Sequence, residues 1–367
     1  MGLLTQHSQY LAKYLIPCVT AFIITVFIIY LLKPLAIRLK LVDVPGGRKM
    51  HQGEVPLTGG IGMFLGFIFA LLTLDISLAD YRSFIAASGL LVFIGILDDL
   101  HELSTKSRFI AQIIAASLMV IWGHVVLKSF GNICFFGNVD LGNMAIPMTI
   151  FAVVGVINAI NMTDGVDGLA GSLVLVQLML LGFLSFVAGP HFDTAILMVL
   201  SVSLFGFLLF NLPLRQRFKS TAFMGDSGSM FLGFALVWFL IHLSQEHPVA
   251  KPVTMLWIMA IPLFDTMRLL WQRTRQSRSP FKSARDHLHH ILMDLGYTPI
   301  QIILLLGFAN LSLGIIGIVA GMLSIPEGIM FLSILLLFVF YCRTLKHLES
   351  RVISFKDLQF VEGGPGL

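Results

Sequence analysis

A chain of 367 residues with 57% hydrophobic and only 12% charged side chains, at a mean hydropathy of +0.90, has too little polar surface to clothe a water-soluble fold. Its apolar runs repeatedly reach the ~20 residues that cross a bilayer, which excludes a soluble enzyme or nucleic-acid binder and points to an all-α, polytopic membrane protein. The net charge of +4 is small, and where the charges fall is more informative than their sum.

The first apolar run, Tyr14 to Leu32, is followed by Lys33 and Pro34 rather than a small-residue cleavage site, and reads as a retained span. With that run, spans are predicted near 14–37, 57–76, 81–97, 107–127, 145–160, 169–188, 192–211, 229–243, 252–270, 300–321 and 326–342, eleven helices in one domain covering 1–367. Several, notably 145–160 and 229–243, are short. Cys18, Cys134 and Cys342 form no CxxC pair, so neither a zinc site nor a disulfide framework is indicated. If the N-terminus lies outside, the outside loops hold only Lys13, Arg82, Lys128 and Lys251 of the 24 Lys and Arg residues, the bias expected for a cytoplasmic C-terminus. The same partition sends every polar motif to the cytoplasmic side.

The third predicted span ends in "GILDDLHELSTKSR", where adjacent Asp98 and Asp99 point ~100° apart on a helix, so one faces a shared site while the other meets a neighbour. Lys106 and Arg108 begin the next helix, and acid and base around one short turn suit a phosphate and a metal. In "NAINMTDGVDGLAG" (158–171), Asp164 and Asp167 stand among glycines that allow close ligand approach. The helix predicted to begin near Leu169 aims its first amides at that loop; alternatively Asp167 only caps it. The DxDxDG spacing of an EF-hand is absent. "FMGDSGS" (223–229) sets Asp226 at a glycine turn before another helix, a credible magnesium ligand, with Ser227 and Ser229 as caps and Phe223 as an aromatic face for a base or as packing. "DHLHH" supplies His287, His289 and His290 in a basic loop with Arg273, Arg275, Arg278, Lys282 and Arg285, suited to hydrogen bonds with phosphate or sugar more than to zinc. Asp265 and Arg268 pair across one helical turn as a secondary feature.

In this order, "PLTGG" (56–60), "DD" (98–99) with "STKSR", "NxxNxxDGxDGLAG" (158–171), "FMGDSGS" (223–229) and "PFKSARDHLHH" (280–290) resemble the polyprenyl-phosphate N-acetylhexosamine-1-phosphate transferase superfamily over about residues 40–300. The loop "SPFKSARDHLHH" looks like the branch that uses UDP-N-acetylglucosamine (UDP-GlcNAc). Leu288 interrupts the consecutive HHH run typical of the branch that takes the UDP-MurNAc-pentapeptide of peptidoglycan.

The resemblance implies roles by position. Asp226 and Asn161 match magnesium ligands, Asp98 and Asp99 the acidic pair at the lipid phosphate, and Lys106 a phosphate-binding lysine. Asn158, Asp164, Asp167 and Phe223 fall around the donor's uridine and pyrophosphate. Arg285, His287, His289 and His290, in a recognition loop at 271–299, contact the sugar and its phosphate. The implied cofactor is Mg2+, with Mn2+ as an alternative; the implied partners are UDP-GlcNAc, undecaprenyl phosphate and membrane lipid, a homodimer is compatible, and nucleic acid is not among them. The expected reaction is transfer of GlcNAc-1-phosphate to undecaprenyl phosphate at the inner face of a bacterial plasma membrane. Other UDP-N-acetylhexosamines, the pentapeptide donor, and an ion-coupled transporter with buried acids stay open as alternatives.

Overall fold

The computed structural model describes residues 13–44, 53–189, 192–213, 220–276 and 286–362. Long uncharged runs become long helices because only intrachain hydrogen bonds can satisfy a backbone away from water. In chain order they are α1 (Leu15–Arg38), α2 (Gly59–Leu71), α3 (Arg82–His101), α4 (Thr105–Ile121), α5 (Ala145–Thr163), α6 (Leu169–Ala188) and α7 (Phe192–Asn211). Then come α8 (Gly225–Ile241), α9 (Pro252–Ile258), α10 (Ala260–Arg275), α11 (Leu288–Asp294), α12 (Pro299–Met322) and α13 (Glu327–Glu362). A two-residue antiparallel pair, β1 (Val42–Asp43) with β2 (Val55–Pro56), sets Val42 opposite Pro56 between α1 and α2.

Buried on every side, α8 is the axis of the bundle, as expected of a helix that is apolar all round. Helices sharing a lipid environment gain from close van der Waals approach rather than from escape from water, so small residues mark their crossings. A side chain at Gly60 on α2 would meet Gly228 N of α8 at 2.3 Å, one at Gly95 on α3 would meet Ser227 Cα at 2.3 Å, and one at Gly233 of α8 would meet Ile157 Cα of α5 at 2.7 Å. Farther along, Trp238 and Phe234 of α8 pack on Phe84 of α3, with ring centroids 5.1 and 6.0 Å apart.

Contacts at the helix termini sort the bundle into two ends. At one, Gly59 N donates to Phe223 O at 3.0 Å, Gly168 N to Asn211 Oδ1 at 2.8 Å, and Asp226 N to Asp99 Oδ1 at 2.8 Å. At the other, Tyr81 Oη donates to Asp193 Oδ1 at 2.7 Å, Lys128 N to Gln245 Oε1 at 3.0 Å, and Asn132 N to Glu327 Oε2 at 3.1 Å. The chain therefore alternates direction from helix to helix, and the motif-bearing segments meet at one end.

Each predicted span contains helix, but among the described residues eight helices are long and apolar enough to cross a membrane, or nine if α9 and α10, bent by 84° between them, count as one. The segment predicted at 57–76 is helical only over 13 residues, about 20 Å, with Thr73 and Asp75 beyond its end. Helix α4 ends at Ile121, just before Gly123 and His124, the latter at φ 55°. The segments expected to be short are longer than predicted: α5 runs to Thr163, and α8 starts at Gly225. Asp226 ends a hydropathy run, yet a carboxylate in the first turn suits the helix dipole.

Gly60→Ala is expected to lower the thermal midpoint in detergent, at an overpacking cost of about 1–3 kcal/mol, because the Gly228 backbone and the buried Ser227 hydroxyl lie in its path. Gly89→Ala, whose methyl would meet only Phe64 Cζ at 3.4 Å, should leave the midpoint close to that of the parent in the same scan.

Candidate active site

The turn after α3 is short: Glu102 adopts φ 49°, and Ser104 caps α4 by accepting from Ser107 N at 3.2 Å. That turn brings α4 back against the carboxylates that close α3. Asp98 is buried and accepts from Leu103 N at 2.7 Å through Oδ1, while its Oδ2 lies 3.3 Å from an Arg108 guanidinium nitrogen. The same nitrogen is 3.9 Å from Asp226 Oδ2. Lys106 lies exposed on the turn before, because residues two apart on a helix point ~200° around it. The cation that the structure sets between the carboxylates is thus Arg108, which the sequence placed in the motif without singling it out.

Asp99 turns the other way. Its Oδ1 accepts from Asp226 N at 2.8 Å and its Oδ2 from Ser227 N at 3.4 Å. A carboxylate from α3 therefore caps the start of α8, in place of Ser227 and Ser229, neither of which caps it with its own side chain. Gly225 makes this approach possible: its φ is +69°, and a side chain there would lie 2.5 Å from Asp99 Oδ2. Asp226 projects from this capped turn. Asn161 Nδ2 donates to Asp226 Oδ1 at 2.5 Å and to Ser229 Oγ at 2.8 Å. One turn earlier on α5, Asn158 donates to Gln112 Oε1 of α4 at 2.7 Å, so it joins helices rather than facing the loop.

The loop between α5 and α6 is held by side chains that no sequence motif selects. Asn211 Oδ1 accepts from Gly168 N, and Asn211 Nδ2 donates to Ala222 O at 3.1 Å. Asp167 accepts from Ser220 Oγ at 2.6 Å instead of capping α6, whose N-cap is Gly168. Asp164, half-buried, has its carboxyl pushed up to about 7, chiefly by burial and then by the negative charges of Asp167 and Asp226. Phe223 is half-buried, and its backbone bonds Pro56 O and Gly59 N. This pairing explains why "PLTGG" accompanies "FMGDSGS".

The histidines rest on the pair rated secondary from sequence. Asp265 of α10 accepts from Leu288 N (3.1 Å) and Tyr341 Oη (3.1 Å), and lies 3.0 Å from His287 Nδ1 and 3.8 Å from Arg268. Arg268 in turn donates to the Asp286 carbonyl and to Glu349 Oε1 at 2.8 Å. Burial would raise the Asp286 carboxyl, but hydrogen bonds and charge from Arg273, 2.7 Å away, hold it below the usual carboxylate range. His287 and His289 stack with centroids 5.4 Å apart, and His290 lies 4.2 Å from His289. Burial, then the neighbouring His290 and His287, depress His289 to about 3, so it is a neutral ring. Its Nε2 sits where a side chain on Gly165 would be, 2.2 Å from the ideal Cβ, which docks the histidine segment on the acidic loop. A signal for Asp265 and Arg268 was present: ionisable residues within an apolar helix are costly without a specific task.

The structure thus brings together Asp98, Asp99, Asp226 and Asn161, and beside them Asp164, Asp167, Phe223, His287, His289 and His290; Lys106 lies at the rim. Arg285 and the basic residues Arg48, Lys49, Arg215, Arg217, Lys219, Arg278 and Lys282 lie outside the described residues.

The family described as Glycosyl transferase family 4 matches residues 81–244. Relatives named undecaprenyl-phosphate alpha-N-acetylglucosaminyl 1-phosphate transferase include one from Yersinia pestis, 37% identical over 345 residues, covering 93% of this chain and 92% of that protein. Another from Haemophilus influenzae is 37% identical over 323 residues (86% and 89%), and one from Salmonella typhi is 35% identical over 327 residues (88% of each).

Asp164 generates a pH prediction. A carboxyl raised to about 7 in the folded chain, against ~3.9 unfolded, contributes stability that is full below the unfolded value and is lost as pH rises through about 7. Without substrate, Asp164→Asn is therefore expected to raise the thermal midpoint at pH 8, and the gain should disappear near pH 4.

Proposed function

The chain belongs to glycosyl transferase family 4, and on that premise we infer that it transfers GlcNAc-1-phosphate from UDP-GlcNAc to undecaprenyl phosphate. The products are undecaprenyl-pyrophosphoryl-GlcNAc and UMP, the first lipid intermediate of a cell-surface polysaccharide such as O-antigen. The observation that carries this reading is the meeting of Asp98, Arg108, Asn161 and Asp226 at one end of an apolar bundle, with the His287 frame docked beside them.

In this reading an oxygen of the lipid phosphate attacks the β-phosphorus of the donor; a new P–O bond forms and the bond to the UMP oxygen breaks. The attacking phosphate is largely dianionic near neutral pH, so the barrier lies in bringing anions together rather than in removing a proton. Arg108 is held by Asp98 yet partly exposed, with its side chain 33% accessible against 4% for Asp98, which suits a cation that neutralises phosphate while staying oriented. Lys106 adds charge at the rim. The amides that open α8 are committed to Asp99, and Gly168 N to Asn211, so side chains rather than helix termini supply most of this charge. Asp98, paired with Arg108, positions that cation.

The donor set fits magnesium. Asp226 is a hard oxygen ligand accessible from the end of the bundle, and among the described residues no third carboxylate or imidazole closes a protein-only cage around it. Magnesium is commonly held by one or two carboxylates together with substrate phosphates. Asp226 and Asn161 would hold it, and when bound it neutralises charge on the donor diphosphate. His287, His289 and His290, within the segment 271–299, contact the sugar and its phosphate.

The charge distribution and the alternating helix directions support eleven crossings, with α2, α4 and the bent α9–α10 pair included. In this reading the N-terminus lies outside and the site at the cytoplasmic face of a bacterial plasma membrane, as the bias of Lys and Arg favours.

Purified protein in detergent with undecaprenyl phosphate and Mg2+ is expected to release UMP from UDP-GlcNAc but not from UDP-GalNAc or UDP-MurNAc-pentapeptide. Chelation should abolish turnover and Mg2+ restore it. Asp226→Asn and Arg108→Ala should each lower kcat/KM by about 100-fold or more, while Asp98→Asn lowers kcat with donor binding retained. Ion flux in liposomes without UMP release would replace this reading with a transporter.

A further inference from the structure

The opposite end of the bundle carries ionisable side chains that the transfer reaction leaves unused. Asp193, at the second position of α7, is 1% exposed; His242, where α8 widens into a π-helical turn, is 5% exposed; His247 follows that turn with an accessible side chain. Their ligand atoms all lie within 4.8 Å of one another. His242 Nε2 is 3.1 Å from Asp193 Oδ1, and His247 Nδ1 is 3.1 Å from Asp193 Oδ2. The length of α8 sets this group about 25 Å from Asp226.

We propose that Asp193, His242 and His247 form a second site, for a divalent transition metal of the zinc type. Two imidazoles with one carboxylate suit Zn2+, Co2+ or Ni2+, whereas Mg2+ and Ca2+ take oxygen donors. The orientation of His242 is the decisive observation. Although the ring is almost completely buried, neither of its nitrogens has a hydrogen-bond partner, and Nε2 lies at contact distance from Asp193 Oδ1 without the alignment of a hydrogen bond. Two ligands of a shared ion stand in this relation: their lone pairs converge on a point beside the line that joins them. Surrounding groups hold the donors as the outer partners of metal ligands do. Tyr81 Oη donates to Asp193 Oδ1 at 2.7 Å, and Trp238 stacks on His242 at 4.3 Å and 26°. The centroids of His242 and His247 are 4.5 Å apart, close enough for both imidazoles to reach one ion. The accessible side of His247 leaves a fourth position for water. The ion would tie the start of α7 to the end of α8 at the face away from the chemistry.

The test uses the full chain, purified through a tag without histidines, stripped with chelator and titrated with Co2+ and Zn2+. One Co2+ per chain is expected to give the visible absorption of a low-coordinate site, to be displaced by Zn2+, and Zn2+ should raise the thermal midpoint. Loss of one ligand in His247→Ala, a surface change that leaves the core intact, should weaken binding by at least about 100-fold, as should Asp193→Asn. His290→Ala should bind as the parent does, and UMP release by His247→Ala should persist. Equal Co2+ spectra for the parent and His247→Ala, loss of binding only in His290→Ala, or no Zn2+ response in the parent would each overturn the proposal.

Discussion

The carboxylate of Asp99 accepts the first amides of the central helix, and the geometry of the chemical end follows from that contact. The amides at the start of α8 have no partners within their own helix, and this end of α8 is crowded by α2 and α3. A short side chain on α8 itself cannot cap it there, because Ser227 is pinned beneath Gly95. Asp99 reaches across instead, and the positive φ of Gly225 opens the space for it. Once the first turn of α8 is held this way, Asp226 must project toward Asn161 on one side and Arg108 on the other.

Two frames divide the work at that end. The first holds acids and one arginine near the axis; the second holds three imidazoles through Asp265, Arg268, Tyr341 and Glu349. Buried ion pairs contribute little net stability, but removing one partner costs about 3–5 kcal/mol because a charge is left without compensation. Such pairs are therefore better suited to fixing one arrangement than to strengthening the fold. Arg268 illustrates this: it is buried, and its contacts run to the chain just before the histidines and to the last long helix. The frames touch where the His289 ring occupies the space above Gly165, so the position of one constrains the other.

The apolar bundle keeps these frames at its end by giving polar groups few places elsewhere. Inside it, Thr25 pairs its hydroxyl with that of Ser203 at 2.9 Å, and Ser203 donates to Met63 O at 2.6 Å. Small residues at the crossings bring backbones close, and aromatic rings fill the middle of α8. Carboxylates that must meet phosphate gather where helices end and water has access.

Much was legible in the sequence by itself. The membrane class and the helical segments follow from composition, which is additive along the chain. The motifs around Asp98, Asp164, Asp226 and His287 were legible because glycine turns and acids stand out against an apolar background. Partnership was not legible, because it joins residues distant in sequence. That Asp98 meets Arg108 rather than Lys106 depends on how α4 is rotated once Ser104 caps it. That Asp99 serves the amides of α8, and Asp265 the histidines, depends on which helices lie side by side. Local pattern determines what each segment can be; packing alone decides which way each carboxylate faces, because its partner arrives on another helix.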